Sequence, residues 1–163
     1  MIKHPFPPLF DSDSKILILG SFPSVKSREQ MFFYGHPRNR FWKVMAAVFE
    51  EPVPETIDEK KRLLITHHIA LWDVIAECRI EGSSDASISD VRANDLSPVF
   101  EEADIEKIIV NGKTAEKYYI KLIEPRIHRK AICLPSTSPA NAAWSTEKLA
   151  KAWGERINPQ AIV

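Results

Sequence analysis

The apolar run Ile16-Leu17-Ile18-Leu19 stops at Gly20, opens into a long loop and resumes as a helix, and few folds accommodate that succession. Such a run of aliphatic residues has the length of a strand buried on both faces. After Gly20 comes Ser21-Phe22-Pro23-Ser24, the start of a polar and aromatic loop that lasts to His36-Pro37-Arg38-Asn39. From Arg40 the spacing is helical, with Phe41, Val44, Met45 and Val48 at i, i+3, i+4 and i+7. Buried strand, glycine turn, decorated loop and helix is how an open α/β sheet builds a site at the carboxyl end of a strand. The loop is too long and too aromatic to serve only as a connector.

The rest of the chain repeats the alternation. Strands are expected over 15–19, 69–74, 107–110 and 130–134. Helices are expected over 39–49, 56–68, 95–102, 113–123 and 145–157, with Asn94 capping the third and Glu124-Pro125 stopping the fourth. Residues 75–93 show the least regular pattern, with Gly82, Ser83, Ser84 and Asp85 making a loop. The proline-rich residues 1–14 are expected to lie as an extended arm over the core, anchored by Phe6, Leu9 and Phe10. The expected architecture is a single α/β domain over 1–163: three layers, with helices on both faces of a central four-stranded, mainly parallel sheet. Three polar loops, 20–39, 73–85 and 135–143, then share one rim.

Composition narrows the function classes. With 163 residues and no net formal charge, the chain has no global field to steer it to a polyanion, so nucleic-acid binding needs a local basic patch. Lys26, Arg28, Arg38 and Arg40 supply one around the early loop. The two cysteines, Cys78 and Cys133, lack metal-site spacing and point to a reducing compartment; no metal or other cofactor is expected. No signal peptide or membrane span is visible, which leaves the cytoplasm, and the chain is expected to be monomeric.

Three segments carry a resemblance. His36-Pro37-Arg38-Asn39-Arg40-Phe41-Trp42 is close to the HPxNRFW of the mismatch-specific branch of the uracil-DNA glycosylase superfamily. GSFPS at Gly20–Ser24 stands where that superfamily has its first strand-end motif, and PSTSPAN at Pro135–Asn141 where it has its second. Together they resemble the hypoxanthine-DNA glycosylase, or DNA-deoxyinosine glycosylase, branch over nearly the whole chain. One departure matters. Better-known branches place an Asp or Asn two residues after the motif glycine to handle the attacking water; here that residue is Phe22.

The resemblance implies a monofunctional enzyme that hydrolyses the N-glycosidic bond of a deaminated base in DNA, hypoxanthine first. A uracil or mismatched-thymine specialist on the same fold is the alternative, and a non-catalytic binder of damaged DNA or a nucleotide-binding module the more distant one. The polar duty that Phe22 cannot perform falls to Asn39, as the residue that positions water and accepts a hydrogen bond from it. Read from the sequence alone, Asn39 is first a helix N-cap; the resemblance favours the catalytic role, and one residue can do both. Tyr34 aligns with the aromatic residue that stacks on the flipped base. Phe22 either floors the pocket or packs beneath it. The base edge is read by the backbone at Gly20, Ser21 and Phe22 and by Asp73, whose carboxylate can accept from a purine N1–H that hypoxanthine has and adenine lacks. Ser24, Ser27, Ser136 and Ser138 are small donors suited to phosphates, beside Arg38; Ala140 and Asn141 are placed to enter the groove. Each serine taken singly is also a common turn residue.

Overall fold

The computed structural model describes residues 1–159. In chain order the elements are β1 (Ile2–Lys3), β2 (Ile16–Gly20), α1 (Val25–Gln30), α2 (Phe41–Val48), α3 (Ile57–Thr66), β3 (Ile69–Asp73), β4 (Ile75–Arg79), β5 (Ser89–Ala93), α4 (Ser97–Glu102), β6 (Lys107–Asn111), α5 (Lys113–Tyr118), α6 (Glu124–Ile127), β7 (Ile132–Leu134) and α7 (Thr146–Ile157). The parallel strands run in the order β3-β2-β6-β7, so the expected α/β architecture stands.

Because successive strand residues face opposite ways, one apolar run feeds two cores. Leu17, Leu19, Ile108 and Val110 face one layer, with Val99, Ala115, Tyr119 and Ile123. Ile18, Ile69, Leu71 and Ile109 face the other, with Phe41, Met45, Leu64 and the fully buried Trp153. That is why the central strands read as continuous hydrophobic segments. Side-chain caps start the outer helices: Thr56 and Glu59 form a reciprocal capping box on α3, and Ser145 accepts from the Lys148 N–H on α7.

Four expectations need correction. Residues 75–93 are more regular than expected: on either side of the loop over 80–88, β4 and β5 pair antiparallel, and β1 adds to β4 to make a second, three-stranded sheet. Register shifts along β4·β5 and the exposed face of β5 break the alternation that would have betrayed the strands. Asn94 is not a cap; it is buried, and its side-chain amide donates to the carbonyls of Asp73 and Ile75, while α4 starts at Ser97 with Pro98 in its first turn. The helix from Lys113 does not stop at Glu124-Pro125. It widens into a π-type turn over Tyr119–Ile123 and continues to Ile127, which seats Pro125 in the first turn of α6, where a missing N–H costs nothing. The early loop is not wholly irregular either, since it holds α1.

The amino-terminal arm is more than a cover. Leu9 exchanges both backbone bonds with Leu71 on the edge strand β3, the His4 N–H donates to the Ala76 carbonyl, and Phe6 is buried. The arm therefore lies alongside the strand end that carries Asp73.

Candidate active-site cleft

The carboxyl ends of β2, β3 and β6 deliver Gly20, Asp73 and Asn111 to one rim. The early and late loops close over them into a cleft of about 440 Å³. Its lining includes Gly20, Ser21, Phe22, Tyr34, Asn39, Asp73, Asp85, Asn111, Ser136, Thr137, Ser138 and Ala140. A roomier but shallower groove lies beside α4, at the opposite end of the sheet where the chain enters β6; its Glu101, Glu102 and Asp104 make it a poor match to a phosphate backbone.

At the floor, two side chains converge on the same point. A Cβ on Gly20 would lie 2.4 Å from Asp73 Oδ1 and 2.8 Å from the Tyr34 hydroxyl, so only glycine leaves both groups their positions. The Tyr34 ring stacks on Phe41 at 4.2 Å between centroids, and its hydroxyl accepts from Asn111 Nδ2 at 3.1 Å. Burial and the nearby Asp73 charge push the Tyr34 phenol well above its ordinary pKa, so it remains an O–H whose proton is free to be donated. Asp73 Oδ2 is held from behind by His4 Nε2 at 2.7 Å, which leaves Oδ1 as the acceptor facing the cleft.

A second chain of bonds crosses from the late loop to the start of α2. Asn111 Oδ1 accepts from the Thr137 N–H, Asn111 Nδ2 also donates to Thr137 Oγ1, and Thr137 Oγ1 donates to Asn39 Oδ1 at 2.9 Å. Asn39 Oδ1 accepts from the Phe41 N–H as well, at 2.9 Å, one residue ahead of a standard N-cap position. The Phe41 bond identifies that atom as the oxygen, since a backbone N–H requires an acceptor. Both its lone pairs are therefore in use, and the donor left to Asn39, which lines the cleft, is its side-chain N–H group, bonded to none of the described residues. A hydrogen bond accepted from water, as expected from the sequence, is not open to this oxygen.

Phe22 lines the cleft and also packs: its ring meets that of His4 edge-on, and the Arg28 guanidinium lies 5.6 Å from its centroid. Ser21 Oγ donates to Asp85 Oδ1 at 3.1 Å. Asp85 lines the cleft and is exposed on its surface. Lost solvation and the Asp73 charge raise its pKa, against the bonds from Ser21 and Thr114.

The phosphate donors divide. Ser27 is buried, accepting from Ser24 Oγ and the Gly35 N–H, and Ser24 caps α1; neither keeps an exposed hydroxyl proton for DNA. Ser136 and Ser138 each accept one backbone N–H in the late loop and retain theirs. Ala140 is exposed at the loop tip, whereas Asn141 turns inward, its amide donating to the Ser136 carbonyl. The basic cluster is also largely committed. Lys26 pairs with Glu29, Arg28 binds the Gly82 carbonyl, and Arg40 donates to the carbonyls of Ser138, Asn141 and Trp144; the exposed Arg38 is left to solvent. Arg40 is thus a clamp that shapes the late loop. Replacing it with alanine should cost about 2 kcal/mol and lower Tm by about 5 °C in a thermal scan. An unchanged Tm would count against the clamp.

His4, Asp85, Asn111 and Thr137 were not singled out by sequence. Asn111 was within reach of the rule that sites gather at strand ends, and Asp85 lies in a loop expected on the rim. Thr137 was hidden among the serines of its own motif. His4 had no local signal. Among the described residues no group of His, Cys, Asp or Glu side chains is placed to hold a metal ion, and no helix is long and apolar enough to cross a membrane.

Residues 7–159 match the family model described as the uracil DNA glycosylase superfamily. A protein named hypoxanthine DNA glycosylase from Methanosarcina acetivorans is 37% identical over 150 residues, covering 91% of this chain and 94% of that protein. One of the same name from Methanosarcina barkeri is 36% identical over 121 residues, covering 72% and 76%. The solution NMR structure of a Methanosarcina acetivorans protein provisionally named as a uracil DNA glycosylase superposes with a TM-score of 0.82 at 32% identity, covering 99% of each chain.

Proposed function

Because the chain belongs to the uracil DNA glycosylase superfamily, we propose that its cleft receives a deaminated base turned out of DNA, hypoxanthine first, and that water takes the place of that base on the sugar. The chain is a DNA glycosylase, a hydrolase acting on an N-glycosyl bond, and DNA is its substrate. What it adds to that class lies in the two groups that meet over Gly20.

That meeting is the observation on which the base assignment rests. The floor offers one acceptor, Asp73 Oδ1, and one donor, the Tyr34 O–H, side by side. Deamination converts the acceptor–donor edge of adenine or cytosine into the donor–acceptor edge of hypoxanthine or uracil. An N–H beside a carbonyl suits this floor; a bare ring nitrogen beside an amino group sets lone pair against carboxylate and donor against donor. The floor accordingly favours the lactam edge that deamination creates and rejects adenine and cytosine; guanine and thymine share that edge, so against them the choice rests on how readily a mispaired base leaves the stack. The names of the two Methanosarcina relatives favour hypoxanthine over uracil within that class.

Extruding the nucleotide costs a few kcal/mol, least where the base is already mispaired. Ser136, Ser138 and Arg38 are left as the phosphate contacts, with Ala140 at the tip facing the vacated stack. The stack of the Tyr34 ring on Phe41 holds the ring so that its hydroxyl meets the base edge. As the glycosidic bond breaks, the sugar gains oxocarbenium character and needs only a weak nucleophile. The Asn39 N–H holds a water through a lone pair on its oxygen and so fixes where it attacks. Among the described residues no lysine lines the cleft, and Lys113 is exposed at the start of α5; this supports water, rather than an amine, as nucleophile, and base release without strand cleavage. The free thiols of Cys78 and Cys133 are in keeping with a cytoplasmic location.

The test is base release from duplexes carrying hypoxanthine, uracil, mismatched thymine or undamaged adenine. Hypoxanthine should be freed fastest, uracil more slowly, and adenine at least about a hundredfold more slowly than hypoxanthine. Release of adenine at a comparable rate would overturn the reading of the floor. Binding of damaged duplex with no base released would overturn hydrolysis.

A further inference from the structure

We infer that His4, on the amino-terminal arm, is a positioning residue for base selection: it pins Asp73 so that a single carboxylate oxygen faces the flipped base. The inference rests on the reading of Asp73 as the acceptor for the N–H of the lactam edge. Its own support is separate. His4 and Asp73 lie 69 residues apart in sequence, yet their side chains are only 3% and 5% exposed and meet at 2.7 Å. His4 Nδ1 accepts from the Phe6 N–H at 3.4 Å, so Nε2 carries the hydrogen and donates it to Asp73 Oδ2. The imidazole is wedged edge-on among Phe6, Phe22 and Trp72, at 4.6, 6.0 and 6.2 Å between centroids. The arm that carries it is tied down on both sides of it, by β1 on β4 and by Leu9 on Leu71.

A carboxylate has two equivalent oxygens and a soft terminal torsion, so one fixed acceptor direction requires that the other oxygen be held. No other side chain bonds Asp73 Oδ2 among the described residues. Removing the imidazole N–H lets the carboxylate turn, and Oδ1 leaves its place over Gly20. The arm, which touches neither sugar nor phosphate in this reading, thereby takes part in choosing the base.

The experiment is a double-mutant cycle on single-turnover release of hypoxanthine from duplex DNA, with His4→Phe, His4→Gln, Asp73→Asn and the His4→Phe/Asp73→Asn pair. His4→Phe keeps a ring and loses the donor. His4→Gln puts an amide N–H near the place of Nε2. His4→Phe should slow release about tenfold or more, and His4→Gln should recover most of that loss. In the Asp73→Asn background His4→Phe should cost less than about threefold, because its effect passes through the carboxylate. A readout of binding accompanies the rates: inhibition by free hypoxanthine against 1-methylhypoxanthine, which lacks the N1–H. Wild type should prefer hypoxanthine, and His4→Phe should lose that preference. Should His4→Phe fail to fold, His4→Leu, which also lacks the donor, replaces it in both backgrounds, with the same expected loss of rate and preference and the same small cost beside Asp73→Asn. Equal cost of His4→Phe in both backgrounds, or an unchanged rate and preference, would overturn the role of His4 while leaving Asp73 as the reader. Wild-type rate and preference in Asp73→Asn would overturn the reading of Asp73 itself, and with it the inference.

Discussion

Replacing Asn39 by alanine should lower single-turnover release of hypoxanthine by about a hundredfold or more while binding to the damaged duplex persists. Loss of a positioned donor beside the reacting centre carries that magnitude in other enzymes, and nothing else on the early loop offers a free amide at the same place. The more informative variant is Asn39→Asp. It keeps an oxygen for the Phe41 N–H and for Thr137 Oγ1, so the start of α2 and the link to the late loop survive. It exchanges the N–H for a second acceptor. Were water activated by an acceptor at this position, the carboxylate would be the stronger base, and Asn39→Asp would hold or gain activity. With both lone pairs of the native oxygen already engaged, the donor is what matters, and Asn39→Asp should fall nearly as far as Asn39→Ala. Near-native turnover in Asn39→Asp would reverse the assignment from donor to acceptor. Native turnover in Asn39→Ala would remove the residue from the mechanism altogether.

The same residue illustrates what a sequence exposes and what it hides. The position of Asn39 at a helix start is a local property, legible from the spacing of Phe41, Val44, Met45 and Val48. Which of its two side-chain atoms faces the cleft depends on Thr137, 98 residues later in the chain, and no local pattern encodes that. The central sheet was legible for a related reason: strands buried on both faces are apolar throughout, so β2, β3 and β6 announce themselves. The strands β4 and β5 are bulged and partly exposed, and neither carries a continuous apolar run.

Charge was the least legible quantity. Lys26, Arg28, Arg38 and Arg40 cluster in sequence and suggested a DNA-binding patch, but a guanidinium can also donate to carbonyls. Arg40 spends its donors on the late loop, 98 to 104 residues away. The serines of the early loop were legible as turn residues and ambiguous as ligands. Ser27 is buried, and burial is a property of the whole fold. The strand-end rule located Gly20 and Asp73, yet Asn111, which ends β6 in the same way, precedes a glycine and carries the ordinary signal of a turn.

Gly20→Ala should reduce hypoxanthine release by about a hundredfold and cost about 1–3 kcal/mol of stability, a disproportion that identifies the glycine as part of the base site. The added methyl would sit 2.4 Å from Asp73 Oδ1 and 2.8 Å from the Tyr34 hydroxyl, inside any tolerable contact, so something must move. The strand is a poor candidate to yield, because β2 is paired on both sides and the Gly20 carbonyl accepts from the Val74 N–H. Asp73 is restrained by His4 and Tyr34 by Asn111 and Phe41, so the displacement falls on the acceptor and donor that frame the base edge. A shift of about 1 Å in either spoils both hydrogen bonds to the lactam, since its N–H and carbonyl are on adjacent atoms. Because the two groups serve recognition, the loss should exceed that from Gly20→Ala's effect on folding alone, and free hypoxanthine should inhibit the variant far more weakly than wild type. If Gly20→Ala retained wild-type release together with wild-type inhibition by hypoxanthine, the base edge could not lie over Gly20, and the floor would have to be sought elsewhere in the cleft.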